Sequence, residues 1–142
     1  MKSRIDKKSV IKIMGINLTL ALLLFGLILI NKNVFRPTFN NTHFAQILTG
    51  SFPNFIAAFL ISLCVVNSVL IKKPRLGRLI VYSISLCIMS ILILDEVKSI
   101  VASKQYDIYD ITGSVIGSIL AILTYEFLYY RQNLKMKRIE IE

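Results

Sequence analysis

Histidine and cysteine are nearly missing from this chain. It holds one histidine, His43, and two cysteines, Cys64 and Cys87, in 142 residues. No Cys-x-x-Cys or His-Glu-x-x-His spacing occurs, so the common zinc and metalloprotease signatures are excluded and no metal or cofactor is expected. Both cysteines sit inside apolar runs, where a thiol behaves as a small buried hydrophobe. Nothing in their placement predicts a bridge. Charge is scarce too: 18% of residues are charged against 55% hydrophobic. That balance excludes a disordered chain, a coiled coil and a disulfide-stapled secreted module. The mean hydropathy is +0.67. A chain this apolar cannot cover itself with polar surface, so lipid is the solvent for most of it. Its length makes it one domain, residues 1–142.

Four apolar runs stand out. Ile13 to Ile30 has eighteen residues and no charge. At helical rise that is about 27 Å, close to the thickness of a bilayer core. The run follows a basic start but no small-x-small cleavage site, so it reads as an uncleaved span. Residues 31–50 read as a loop punctuated by Asn31, Asn33, Pro37, Asn40 and Asn41. Within it, Thr42 to Leu48 fits a short interfacial helix capped by Thr42 and ended by Gly50. His43 there reads as an interfacial residue rather than a ligand or base. Ser51-Phe52-Pro53 then looks like a helix start. The second span is 52–71, the third 79–94 and the fourth 111–130. Between the second and third, Lys72-Lys73-Pro74-Arg75-Leu76-Gly77-Arg78 forms a tight basic turn. The third helix is expected to continue through Asp95 to Lys98.

The positive charges fix an expected orientation. Lys2, Arg4, Lys7, Lys8 and Lys12 lie in the N-terminal arm, residues 1–12. Lys72, Lys73, Arg75 and Arg78 lie in the middle turn, and Arg131, Lys135, Lys137 and Arg138 in the tail, residues 131–142. The other two loops hold only Lys32, Arg36, Lys98 and Lys104, a bias of thirteen to four. The positive-inside rule puts both termini and the middle turn in the cytoplasm. The net charge of +9 is then explained by topology and anionic inner-leaflet lipid, with no nucleic-acid partner. The expected fold is all-α, a four-helix transmembrane bundle of a bacterial plasma membrane.

Packing and site residues follow from the spacing. Gly113, Gly117 and Ala121 recur every four residues on the fourth helix, a stripe that lets another backbone approach closely. Small partners are available at Ala58 and Ser62 on the second helix and at Ser83, Cys87 and Ser90 on the third. Packing within the bundle is favoured over a dimer seam. Ile116, Ile119, Leu120 and Leu123 occupy the other face. Glu126 lies near the inner boundary of the helix, where it can pair with a cation. One charged cluster is a candidate site: Asp95, Glu96, Lys98, Lys104, Asp107 and Asp110. Asp110 also sits where a carboxylate caps the last helix. A cap, a salt bridge and a solvated acidic loop is the plain reading of this cluster.

The order Glu96, Lys104-x-x-Asp107-x-x-Asp110, Ser114-x-x-Gly117 resembles the signature of the VanZ-like family of small bacterial membrane proteins. In that family a Glu ends one helix. An Arg-x-x-Asp-x-x-Asp run then leads into a helix with an Asn-x-x-Gly start. Gly50-Ser51-Phe52-Pro53-Asn54-Phe55 is similar to a Ser-Leu-Pro-type helix entry in some members. The resemblance covers roughly residues 50–120. Lys104 replaces the Arg, which weakens bidentate anion recognition. Ser114 replaces the Asn, and Ser99 stands where a Gln is expected. The resemblance implies an envelope role, with glycopeptide-antibiotic resistance as the family's naming trait. It also implies that Glu96, Lys104, Asp107 and Asp110, with Asn54 beside them, form a polar ligand site at the outer face.

Catalysis is the minority reading, because no Ser–His pair, no Gly-rich phosphate loop and no histidine accompany the acids. The expected function is a non-enzymatic envelope protein binding a lipid or amphiphilic cell-wall-related ligand at the outer leaflet. The rival expectation is an oligomeric membrane effector, either a homo-oligomer or an accessory subunit of a larger membrane complex.

Overall fold

Long runs without charge and with few prolines favour long helices, and the computed structural model consists of four of them. It describes residues 7–38, 42–72, 74–101 and 108–139. Helix α1 runs Lys7–Thr38, with one wider π turn at Asn31–Phe35 near its end. Helix α2 is His43–Lys72, α3 is Gly77–Val101 and α4 is Ile108–Ile139. All four are long and apolar enough to cross a membrane. The third helix does extend past Lys98, as its sequence predicts.

The stretch 31–50 departs from the expected loop. Thr42 does cap a helix, its hydroxyl accepting from the Ala45 amide at 3.3 Å. That helix does not stop at Gly50 or restart at Pro53, because both lie inside α2. A proline in a helix removes the hydrogen bond to the carbonyl four residues back, here that of Thr49. The Asn31 side chain supplies the missing donor, its Nδ2 bonding to the Thr49 carbonyl at 2.8 Å. Asn31 is 1% exposed. A cross-helix bond from the π turn of α1 thus lets α2 continue through its proline. The asparagines at 31 and 33, read as loop formers, belong to the wound end of α1.

The pairings define the topology. Asn17, early in α1, meets Asn67 and Ser68, late in α2, while Asn31 meets Thr49. Helices α1 and α2 are therefore antiparallel. Arg78, at the start of α3, meets Glu126 toward the end of α4, so this pair is antiparallel too. The start of α4 lies against the start of α2 at Gly113 and Ser51, so these two run parallel. The described ends of α1 and α4 and the turn at 74–76 lie at one end of the bundle, called here the termini end. The opposite end, with the α1–α2 connection and the tips of α3 and α4, is the loop end.

Helices α2, α3 and α4 form the packed body, and among the described residues α1 packs mainly against α2. Near the termini end, Val66, Val69, Val81 and Tyr125 make a buried apolar cluster. At mid-length the interior is built from small residues: Ala58, Ser62, Ser85, Ser118 and Ala121 are all buried. On α3 the inward positions are Val81 and Ser85, whereas the expected Ser83, Cys87 and Ser90 are exposed. Helix α1 exposes most of its leucines and isoleucines, as a helix surrounded by lipid tails can.

Candidate functional site at the loop end

Helix α4 is held against α2 by the glycine stripe. A Cβ added at Gly113 would come within 2.7 Å of the Ser51 carbonyl oxygen and 3.3 Å of the Phe55 amide. One added at Gly117 would collide with the Phe55 carbonyl oxygen and approach the Ala58 Cβ to 3.0 Å. The two backbones are in direct contact, and Ala121 continues the same buried face. Ile116, Ile119 and Leu123 on the opposite face are more than half exposed, at 52%, 51% and 59%.

This contact sets the position of the charged residues. Asp110 lies inside the first turn of α4, which starts at Ile108, so it does not cap the helix as its sequence suggests. Asp110 stands one turn before Gly113, on the side that meets α2. It is half-buried, with one carboxylate oxygen fully buried. Its carbonyl accepts from the Ser114 hydroxyl at 3.1 Å. Glu96, near the tip of α3, and Asn54, one residue after Pro53 in α2, are half-buried as well. These three sequence-predicted residues therefore share the loop end. Lys104 and Asp107, the remaining members, lie outside the described residues. Among the described residues, no three His, Cys, Asp or Glu side chains gather closely enough to hold a metal ion.

A recess lies at the same end, between α1 and α2. It measures about 460 Å³ and is bordered by Asn31, Phe35, Phe44, Leu48, Thr49 and Phe52. Phe35 meets Phe52 edge to face, with ring centres 6.2 Å apart. Phe44 and Leu48, on its rim, are 75% and 57% exposed. The recess exists because α1 winds on past Ile30 and α2 begins already at His43, so two helical ends flank each other where a loop was expected. Aromatic rings at a helix end suit the boundary between hydrocarbon and headgroups.

Two polar groupings emerge only in the folded chain. Asn67 Nδ2 donates to Asn17 Oδ1 at 2.8 Å, and Asn17 Nδ2 reaches the Ser68 hydroxyl at 3.4 Å. These amides lie inside otherwise apolar runs, where an unpaired amide is costly, and that cost was the available signal for a cross-helix bond. At the termini end, Glu126 accepts from Arg78 at 2.9 Å and from the Tyr82 hydroxyl at 2.8 Å. Arg78 also lies 5.1 Å from the centre of the Tyr129 ring. The cation paired with Glu126 comes from α3, across the bundle.

No protein-family model matches the chain, and no curated protein and no solved structure is significantly similar to it. What the fold itself defines is a class: an all-helical, multi-pass membrane protein with four apolar helices.

Proposed function

We propose that this chain is a VanZ-like, non-enzymatic envelope protein of a bacterial plasma membrane, with both termini cytoplasmic. In this reading it binds a lipid or an amphiphilic cell-wall-related molecule at the outer leaflet. The observation that carries the reading is the aromatic recess at the loop end. Its volume and apolar lining suit part of an acyl or isoprenoid-like chain. Glu96, Asp110 and Asn54 at the same end supply polar groups at headgroup depth, where ionisable residues are retained only when paired or in use. Lys104 and Asp107, on the connection between α3 and α4, complete the polar half of the proposed site.

The test combines abundance with phenotype. Expression in a susceptible bacterial host should lower its sensitivity to a glycopeptide antibiotic. The double variant Asp107→Asn, Asp110→Asn should lose that effect while the protein remains in the membrane at normal abundance. Asp110 is the third residue of α4 and not its cap. A purely structural role there is a charge beside the helix start, whose loss in Asn costs about 0.3–1 kcal/mol and leaves the protein in the membrane. Full protection by the double variant would end the site assignment.

A further inference from the structure

The termini end carries a second recess, which shares with the proposal above only the assignment of this end to the cytoplasm. It measures about 280 Å³ and is bordered by Arg75, Gly77, Tyr125, Tyr129, Gln132 and Asn133. We propose that it binds the phosphate of an anionic phospholipid headgroup.

The buried phenol of Tyr125 comes first. Tyr125 is 1% exposed, yet it lines the recess and makes no hydrogen bond among the described residues. Its hydroxyl oxygen is not among the fully enclosed polar atoms, so the recess is where it can meet the partner that a tyrosine hydroxyl normally has. The hydroxyl lies close to Gly77: a Cβ added there would stand 3.1 Å from the Tyr125 hydroxyl oxygen and 2.8 Å from Val69 Cγ1. Glycine thus leaves room for the hydroxyl at the edge of the recess.

The other polar groups around that space are donors suited to an anion. Arg75 is exposed and forms no ion pair among the described residues. Gln132 and Asn133 contribute side-chain amides. The recess also borders the first turn of α3, where Gly77 N bonds back to the Pro74 carbonyl at 3.1 Å. Of the next amides, that of Ile80 bonds to the Leu76 carbonyl at 3.0 Å, which leaves those of Arg78 and Leu79 without a backbone acceptor among the described residues. The helix dipole favours a negative charge at this end. Among the described residues no carboxylate borders the recess. The nearby Glu126 is already matched by Arg78 at 2.9 Å. The remaining field is therefore positive.

The location selects a lipid over a soluble ion. Tyr129 and Tyr130 are followed by Arg131, the order of residues at a membrane boundary. Basic pockets between transmembrane helices on the cytoplasmic side suit anionic headgroups. Apolar side chains of Val69 and Leu70 complete the lining, which suits the glycerol end of a lipid better than a free hydrated phosphate.

The experiment uses the full chain in mixed micelles. Thermal stability is followed while phosphatidylglycerol, phosphatidylcholine or soluble glycerol phosphate is titrated in. Phosphatidylglycerol should stabilise the protein saturably and the other two should not. Tyr125→Phe should weaken that binding about tenfold, and Arg75→Gln about fivefold. Both should match the original chain in phosphatidylcholine. Lys12→Gln removes the same charge from an exposed position on α1 that does not border the recess, and should leave the binding unchanged. Equal stabilisation by phosphatidylcholine or by glycerol phosphate would overturn the proposal. So would an Arg75→Gln protein that binds phosphatidylglycerol as tightly as the original, or a Lys12→Gln protein that loses as much binding as Arg75→Gln does.

Discussion

A proline well inside an apolar helix leaves one carbonyl without its donor, and in hydrocarbon no water can replace it. The Asn31 amide fills that role for Thr49. Its other atom, Oδ1, is buried and has no hydrogen-bond partner among the described residues. Removing the side chain therefore loses one bond and also relieves one unsatisfied acceptor. Asn31→Ala should cost about 1 kcal/mol, toward the low end for a buried hydrogen bond. In a Pro53→Ala background residue 53 regains an N–H, which can bond to the Thr49 carbonyl. The same Asn31→Ala change should then cost clearly less. Thermal unfolding of the four proteins in one detergent gives the coupling directly. Strict additivity would show that Asn31 does not act through the carbonyl freed by Pro53. Neither residue announces this link in the sequence, since asparagine and proline there look like turn formers. Only the position of α1 beside α2 makes them partners.

Among the elements, α2 and α4 form the closest pair, and the glycine spacing of α4 indicated such a contact without naming the partner. Gly117→Leu should force the backbones apart at Phe55 and Ala58, an overpacking cost of about 1–3 kcal/mol or more. Leu120→Ala, on a side chain 39% exposed, should cost less, because lipid replaces the lost contact. Melting temperatures of the two variants in the same detergent check this. Equal losses would put Gly117 outside the interface. The spans themselves were legible because runs of about fifteen to twenty residues without charge have few alternatives to a membrane helix. The ends were not, since polar residues at a helix end look like a loop until their hydrogen bonds are known. The inward face of α3 was misread for a related reason. Its small residues Ser83, Cys87 and Ser90 suited close packing, but Val81 and Ser85 are the ones buried. In lipid, small residues carry no hydrophobic penalty on the outer face, so size alone does not mark the inner one.

At the scale of the whole molecule, the bundle separates two chemistries. The loop end holds acids, an amide and an aromatic recess; the termini end holds most of the cations among the described residues and an ion pair between α3 and α4. Of the candidate site, the sequence order indicated that Glu96 and Asp110 lie at one end, because one closes a span and the other opens the next. The recess lined by Phe35, Phe44 and Phe52 was hidden, because it needs α1 and α2 to continue past their apolar runs.

The orientation of these two ends underlies both proposed sites, and single-cysteine accessibility tests it most directly. Cys64 and Cys87 are free and would first be replaced by alanine. New cysteines would then be placed at Thr38, Leu76 and Asn133, all exposed. Leu76 is preferred to Gly77, where a side chain would meet Val69 and Tyr125. In intact cells a membrane-impermeant maleimide should label Thr38 and spare Leu76 and Asn133, and all three should react once the membrane is opened. Labelling of Leu76 or Asn133 in intact cells, with Thr38 protected, would invert the molecule and contradict the account.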